Sequence, residues 1–154
     1  MNAAVLRSFF DNTATISDLV DDLDGTRERL SANSSRHHMH DLDEDFSVTT
    51  THLVKLCDAV LSRRLPPDQL QVIAFGMLAS DHFDWDADTP DGERVADTLY
   101  DWSAPQVNYS LTTDTVTKFR HRLLTGENTF DKTDLYDGRP ATTGRVIWDP
   151  QRGS

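Results

Sequence analysis

A helical period in the apolar residues is the feature that most constrains the fold. In one run the apolar side chains recur three and four positions apart, the spacing that places them on one face of an α-helix. They are Leu53, Leu56, Cys57, Val60 and Leu61. Similar periods occur in runs 5–10, 16–30, 70–78, 95–102 and 116–124. The sequence therefore predicts an all-α fold, a single-domain bundle of about five to six helices with an irregular C-terminal arm.

Residues that start or stop helices separate these runs. Thr112 or Thr113 can act as an N-cap for the last run, and Gly126 supplies its C-terminal stop. Pro66 and Pro67 stand where another helix begins, because proline fits a first turn whose amide has no partner. The helix after these prolines is apolar on nearly all sides, so we expect it at the centre of the domain.

The length of 154 residues is that of one ordinary domain. We expect a helical domain over 1–126, in which 31–47 is a polar loop or linker because apolar residues are sparse there. Residues 127–154, rich in Thr, Asp, Gly and Pro, are predicted to be an arm packed on the bundle or a tail. The short alternating run 107–111 predicts an extended connection instead of a sheet strand.

The charge balance limits the partners. The chain has 26 acidic and 15 basic residues, a formal charge of −11, which repels nucleic acid and anionic membranes and attracts basic surfaces. We therefore expect a basic protein as the partner, with no nucleic acid and no membrane. The alternative is that the acidity only provides solubility.

The location is predicted from what the sequence lacks. It shows no signal-peptide pattern and no run of about eighteen apolar residues. Cys57 is the only cysteine, so no internal disulfide can form. These features favour a reducing, cytoplasmic setting.

The segment 80–102 has the highest density of acidic residues. It contains eight carboxylates and a single Lys or Arg side chain, Arg94. Aromatic rings among carboxylates suit a partner-binding surface, because the rings provide desolvated contacts and the charges speed encounter with a basic protein. The candidate residues are Asp81, Phe83, Asp84, Trp85, Asp86, Asp88, Asp91 and Glu93. The alternative is that Phe83 and Trp85 are core residues with a solvated acidic rim, and we assign Trp102 to the core.

The same segment shows part of a calcium-binding pattern. Asp84, Asp86 and Asp88 have the spacing that opens an EF-hand loop, but Thr89 and Val95 occupy the positions of its glycine and its bidentate carboxylate. The pattern favours a solvated acidic loop that caps the following helix.

Two further groups of residues suggest chemistry but do not predict it. His37, His38 and His40 lie in a polar loop, which lacks the rigid elements that a metal site needs. Cys57 and His52 are about 140° apart around a helix, and Cys57 is on the apolar face, which favours a buried structural cysteine. We predict no metal and no cofactor.

Catalytic motifs are absent from the sequence. It contains no G-x-S-x-G, P-loop, G-x-G-x-x-G or H-E-x-x-H pattern, so we assign no catalytic residue and do not expect an enzyme. Two alternatives remain. One is a ligand-binding domain or enzyme whose site is assembled from scattered residues such as His82, Asp84, Arg94 and Arg120, and the other is an adaptor that uses an exposed apolar helix stripe.

The segments LCDAVL, IAFGMLASDHFDWD, GERVADTLYDW and KFRHRLLTGE carry a family resemblance. In size, acidity and helicity, the chain over 48–127 resembles small acidic helical immunity proteins of bacteria, of the colicin D inhibitor type. The resemblance implies an inhibitor of a basic toxin such as a ribonuclease, acting by occlusion of the active site. It assigns no binding residue by position, and we expect the loop 81–93 and the cluster 41–45 to face the toxin.

Overall fold

The computed structural model describes residues 2–32 and 44–136, with side chains from 2–24 and 44–136. Most of the predicted loop 31–47 lies outside the described residues, as does 137–154 at the end of the predicted arm.

The described chain is mostly helical. Its α-helices are α1 (Ala3–Phe10), α2 (Ile16–Ala32), α3 (Thr50–Leu61), α4 (Gln69–Ala79), α5 (Pro90–Ser103) and α6 (Thr113–Thr125). Two short strands, β1 (Phe46–Ser47) and β2 (Phe83–Asp84), and two 3₁₀ turns, Pro105–Val107 and Lys132–Asp134, complete it. The predicted all-α bundle of about five to six helices is confirmed.

The helix faces predicted from periodicity form the core. α3 packs along α6, α5 packs against α3, α4 and α6, and α1 packs on α2. The apolar face of α3 is buried, apart from Leu61 at its end, which is half-buried. The Trp102 and Phe119 rings meet edge to face with centroids 5.9 Å apart, so α5 and α6 are joined through large aromatic side chains.

α4 differs from the expectation that it is at the centre of the domain. It buries Leu70, Ile73 and Met77, but Phe75 on its other side is 65% exposed. An apolar surface on all sides does not require that a helix is covered on all sides. Here one side of α4 packs against the core and the opposite apolar side faces water. The central position belongs to α5, which contacts three helices.

The parallel pairing of β1 with β2 was not predicted. Phe46 pairs with Phe83 and Ser47 with Asp84. The Phe46 amide donates to the His82 carbonyl at 2.7 Å, and the Val48 amide donates to the Asp84 carbonyl at 2.8 Å. This pair places the start of α3 beside the start of the connection between α4 and α5, residues 80–89, which we call the acidic loop.

The described part of the C-terminal arm is packed on the bundle. The Phe130 ring stacks on Tyr109 at a centroid distance of 4.1 Å and meets the edge of Phe119 at 4.7 Å. Lys118 Nζ lies 2.6 Å from Asp134 Oδ2, and the carboxylate of Asp134 is nearly buried. Over 127–136, the arm is therefore part of the folded body, which continues past the expected end of the core at residue 126.

The predicted connection 107–111 is partly confirmed. The 3₁₀ turn Pro105–Val107 ends at its first residue, and Tyr109 then forms a single antiparallel bridge with Leu135. No helix in the described residues is both long and apolar enough to cross a membrane.

Candidate functional site

The two aromatic candidates of the acidic loop face inward. Phe83 is 4% exposed, and its ring meets Phe46 edge to face with centroids 5.9 Å apart. Trp85 is half-buried and packs against the same core. The interpretation of Phe83 as an exposed anchor is therefore wrong, because side chains alternate along β2 and Phe83 takes the inward position.

The carboxylates that alternate with these rings face outward. Asp84, Asp86 and Asp88 are exposed, as are Glu44 and Asp45, which the strand pair brings to the start of the loop. We call these five residues the acidic edge. Like charges collected on one rim produce a negative potential that attracts cationic surfaces.

Few of the cationic side chains that the structure describes approach the acidic edge. The His82 imidazole lies 3.0 Å from Asp45 Oδ1, and Arg7 lies 4.0 Å from Glu44. Ser47 Oγ donates to Asp84 Oδ1 at 3.3 Å. Within 2–24 and 44–136, no Lys or Arg side chain forms an ion pair with Asp84, Asp86 or Asp88.

The loop is held against the first turn of α5. Asp86 Oδ1 accepts from the Asp88 amide at 3.0 Å, and the Asp86 carbonyl accepts from the Thr89 hydroxyl at 2.7 Å. The same hydroxyl accepts from the Gly92 amide at 3.0 Å, so Thr89 is the N-cap of α5. A Cβ on Gly92 would lie 1.8 Å from the Asp86 carbonyl oxygen, so only glycine permits this approach. The predicted capping loop is confirmed.

Asp91 has a structural partner. Its Oδ1 accepts from the Thr50 hydroxyl at 2.6 Å and its Oδ2 accepts from the Thr50 amide at 3.2 Å. The carboxylate thus joins the first turns of α3 and α5. Asp91 is half-buried, whereas Glu93 and Asp81 are exposed.

Most of the described cationic side chains form ion pairs or hydrogen bonds with other parts of this protein. Arg120 Nε lies 2.6 Å from Asp58, and Arg122 lies 2.8 Å from Asp101, where burial raises the pKa of the carboxyl and the Arg122 hydrogen bond opposes this. Arg94 donates to the Leu123 carbonyl at 3.5 Å. The charge of these arginines is therefore directed at other elements of the bundle.

The scattered residues of the alternative site do not share a set of partners. His82 and Asp84 are close together on and beside β2. Arg94, on α5, instead points its side chain to the end of α6, and Arg120 is paired with Asp58 of α3. The structure therefore assembles no site from these four residues.

Cys57 and His52 have separate structural roles. Cys57 is fully buried, and burial raises the pKa of its thiol. His52 Nδ1 accepts from the Thr49 amide at 3.0 Å at the start of α3, and burial lowers the pKa of the ring. A thiol held protonated is a poor nucleophile.

The described residues offer little that could hold a ligand. In the part of the chain that the structure describes, no group of three or more His, Cys, Asp or Glu side chains is placed to hold a metal ion. His37, His38 and His40 lie outside it. An open groove of about 460 Å³ between α1 and α2 is lined by small residues with Asp18 and Asp21 and by no residue of the acidic edge.

Comparison of the chain with protein-family models, with curated proteins and with solved structures finds no match in any of the three.

Proposed function

We propose that this protein is a non-enzymatic acidic binding protein, a bacterial cytoplasmic immunity protein that neutralises a basic toxin by occluding its active site. The observation that carries the proposal is the acidic edge, where Asp84, Asp86 and Asp88 face solvent without a Lys or Arg partner in the described part of the chain.

The charge argument names the kind of partner. A nuclease toxin needs a cationic groove to hold the phosphate backbone of its substrate. Carboxylates presented on a fixed loop can occupy the same cations in place of phosphates, and their field steers the encounter. Ser47 and Gly92 support this role, because a loop fixed in advance loses less entropy on binding.

The buried rings change how such a surface works. Since Phe83 is in the core and Trp85 is half-buried, contact with the toxin rests on the carboxylates of the acidic edge and less on aromatic anchors. Affinity should therefore fall as salt is raised, because exposed charge pairs are screened.

Partner capture with the full chain as bait, at low and then at moderate salt, tests the proposal. We expect a basic protein, encoded next to this one, that binds one to one. The affinity of the purified pair is then measured by calorimetry. Retention of a small molecule or metal, with no basic partner, would contradict the proposal and favour a ligand-binding domain.

The variant Asp86→Asn/Asp88→Asn tests the acidic edge itself. The Asn side chain keeps an oxygen for the loop hydrogen bonds and removes two negative charges. We expect the dissociation constant to rise roughly twofold to thirtyfold, since each exposed charge pair contributes about 0.2–1 kcal/mol. Asp21→Asn/Asp24→Asn on α2 changes the net charge equally at exposed positions and is the matched control. Equal effects of both pairs would mean that net charge alone acts.

A further inference from the structure

The outward face of α5 carries two exposed carboxylates and an exposed aromatic ring. Glu93, Asp97 and Tyr100 are four and three positions apart, a spacing that places them on one face of the helix. All three are exposed, Tyr100 by 60%, whereas Leu99 and Trp102 on the inner side are fully buried. Since α5 begins where the acidic loop ends, this face extends the negative surface of the acidic edge along the helix.

The carboxylates of this face are not neutralised by the described side chains. Arg94, the basic residue of α5, donates to the Leu123 carbonyl at 3.5 Å. Its guanidinium lies beside Gly126, where an added Cβ would be 2.7 Å from the Arg94 Nη2 atom. Among the residues whose side chains the structure describes, none forms an ion pair with Glu93 or Asp97. The face can therefore accept a cation from outside.

Asp97 and Tyr100 are spaced to hold one guanidinium group together. Residues three positions apart on a helix have Cβ atoms about 5–6 Å apart. Long helical side chains point toward the N-terminus, which favours a position of the Tyr100 ring over the turn that carries Asp97. A planar guanidinium can stack on a ring and donate N–H groups to a carboxylate at the same time. The compact ammonium group of lysine has no flat surface for such stacking, so the pair favours arginine.

We propose that Asp97 and Tyr100 form a binding site for an arginine side chain of the basic toxin. The inference rests on the proposed function, because it names a residue type that the toxin presents to this protein. Tyr100 provides the ring contact that Phe83 cannot provide, since Phe83 is buried. A second copy of this chain is a poor occupant, because its net charge has the same sign as that of the face.

Hexa-arginine and hexa-lysine peptides, titrated into the full chain at low salt and followed by amide shifts, test the site without the toxin. We expect shifts at 84–88 and around Asp97 and Tyr100. Hexa-arginine should bind about twofold to fivefold more tightly than hexa-lysine, the size of a cation–π contact at an exposed position. Tyr100→Leu should remove this preference and Tyr100→Phe should keep it. Phe75→Leu, which removes an exposed ring from α4, is the matched control and should also keep it.

Stability does not confuse this comparison, because Tyr100 is exposed and leucine is a good helix former. Equal affinity for the two peptides, or a preference that survives Tyr100→Leu, would overturn the arginine site.

The captured toxin separates this inference from the proposed function. Tyr100→Leu should raise the toxin dissociation constant by about threefold or more, and Phe75→Leu should leave it unchanged. A toxin that binds one to one and is unaffected by Tyr100→Leu would overturn the arginine site and leave the proposed function standing. If no basic protein is captured, the proposed function fails, and the peptide comparison alone decides for or against the site.

Discussion

At the scale of single residues, polar side chains in this protein mainly fix the starts and ends of helices. His52 caps α3 while its ring lies 5.0 Å from those of Phe10 and Phe46. Thr112 accepts from the Thr115 amide at the start of α6, and Gly126 ends that helix with a φ of 80°. The sequence predicted the roles of Thr112 and Gly126, because cap and stop signals are local. It missed the role of His52, since the aromatic rings around it come from distant segments.

His52 should make stability depend on pH. Its folded-state pKa is below the ordinary 6.5, because burial disfavours the charged ring. Below pH 6.5 the unfolded chain takes up the proton first, so stability is complete above 6.5 and falls as the pH drops toward the folded-state pKa. Urea unfolding at pH 7.5 and 5.5 should show a larger loss for the wild type than for His52→Gln.

The size of this loss is limited. One proton changes the free energy of unfolding by at most about 1.4 kcal/mol per pH unit, and a half-buried ring should contribute well below that limit. His121→Gln is the control, because that ring lies beside Glu127 on the surface. If the free energy of unfolding depends equally on pH in His52→Gln and in the wild type, protonation of the His52 ring does not destabilise the fold.

At the scale of elements, the helices could be predicted from the sequence and the contacts between distant segments could not. The apolar face of α3 is set by a period within twelve residues, which the sequence shows directly. The pairing of Phe46 with Phe83 joins segments 37 residues apart, and no local pattern encodes it. That pairing buries Phe83 and brings Asp45 to the acidic loop. The sequence therefore named the carboxylates of the candidate surface but left open whether its rings are exposed or buried.

Gly92→Ala should disturb the element that carries the acidic edge. In a helix, Gly→Ala ordinarily stabilises by up to about 1 kcal/mol. Here the added methyl would lie 1.8 Å from the Asp86 carbonyl oxygen, so the loop must move. We expect a loss of about 1–3 kcal/mol in urea unfolding, with amide shifts concentrated in 84–92.

Asp97→Ala is the matched control for this change. Asp97 is exposed on α5, so its loss should alter stability by about 0.5 kcal/mol or less. A Gly92→Ala variant as stable as this control, with unmoved loop amides, would contradict the close approach of the loop to α5.

At the scale of the whole molecule, some charged side chains form ion pairs between elements of the fold and others face solvent. Arg120, Arg122 and Lys118 pair with carboxylates of other segments and join α6 to α3, to α5 and to the arm. The carboxylates of Asp84, Asp86 and Asp88 have no such partner in the described residues, so part of the net charge of −11 is concentrated on one edge. The composition predicted an acidic binding protein, but only the fold shows which carboxylates are available.

We propose that the protein inhibits its toxin stoichiometrically through the acidic edge, and titration of the captured toxin with this protein tests this most directly. Toxin activity is followed against the molar ratio at a toxin concentration far above the dissociation constant. We predict that toxin activity falls linearly and reaches its end point at a molar ratio of one to one. The variant Asp86→Asn/Asp88→Asn should reach the end point at a higher ratio only when both proteins are diluted to concentrations near its weakened dissociation constant. Full activity at excess inhibitor, or complete inactivation far below one equivalent, would contradict the account.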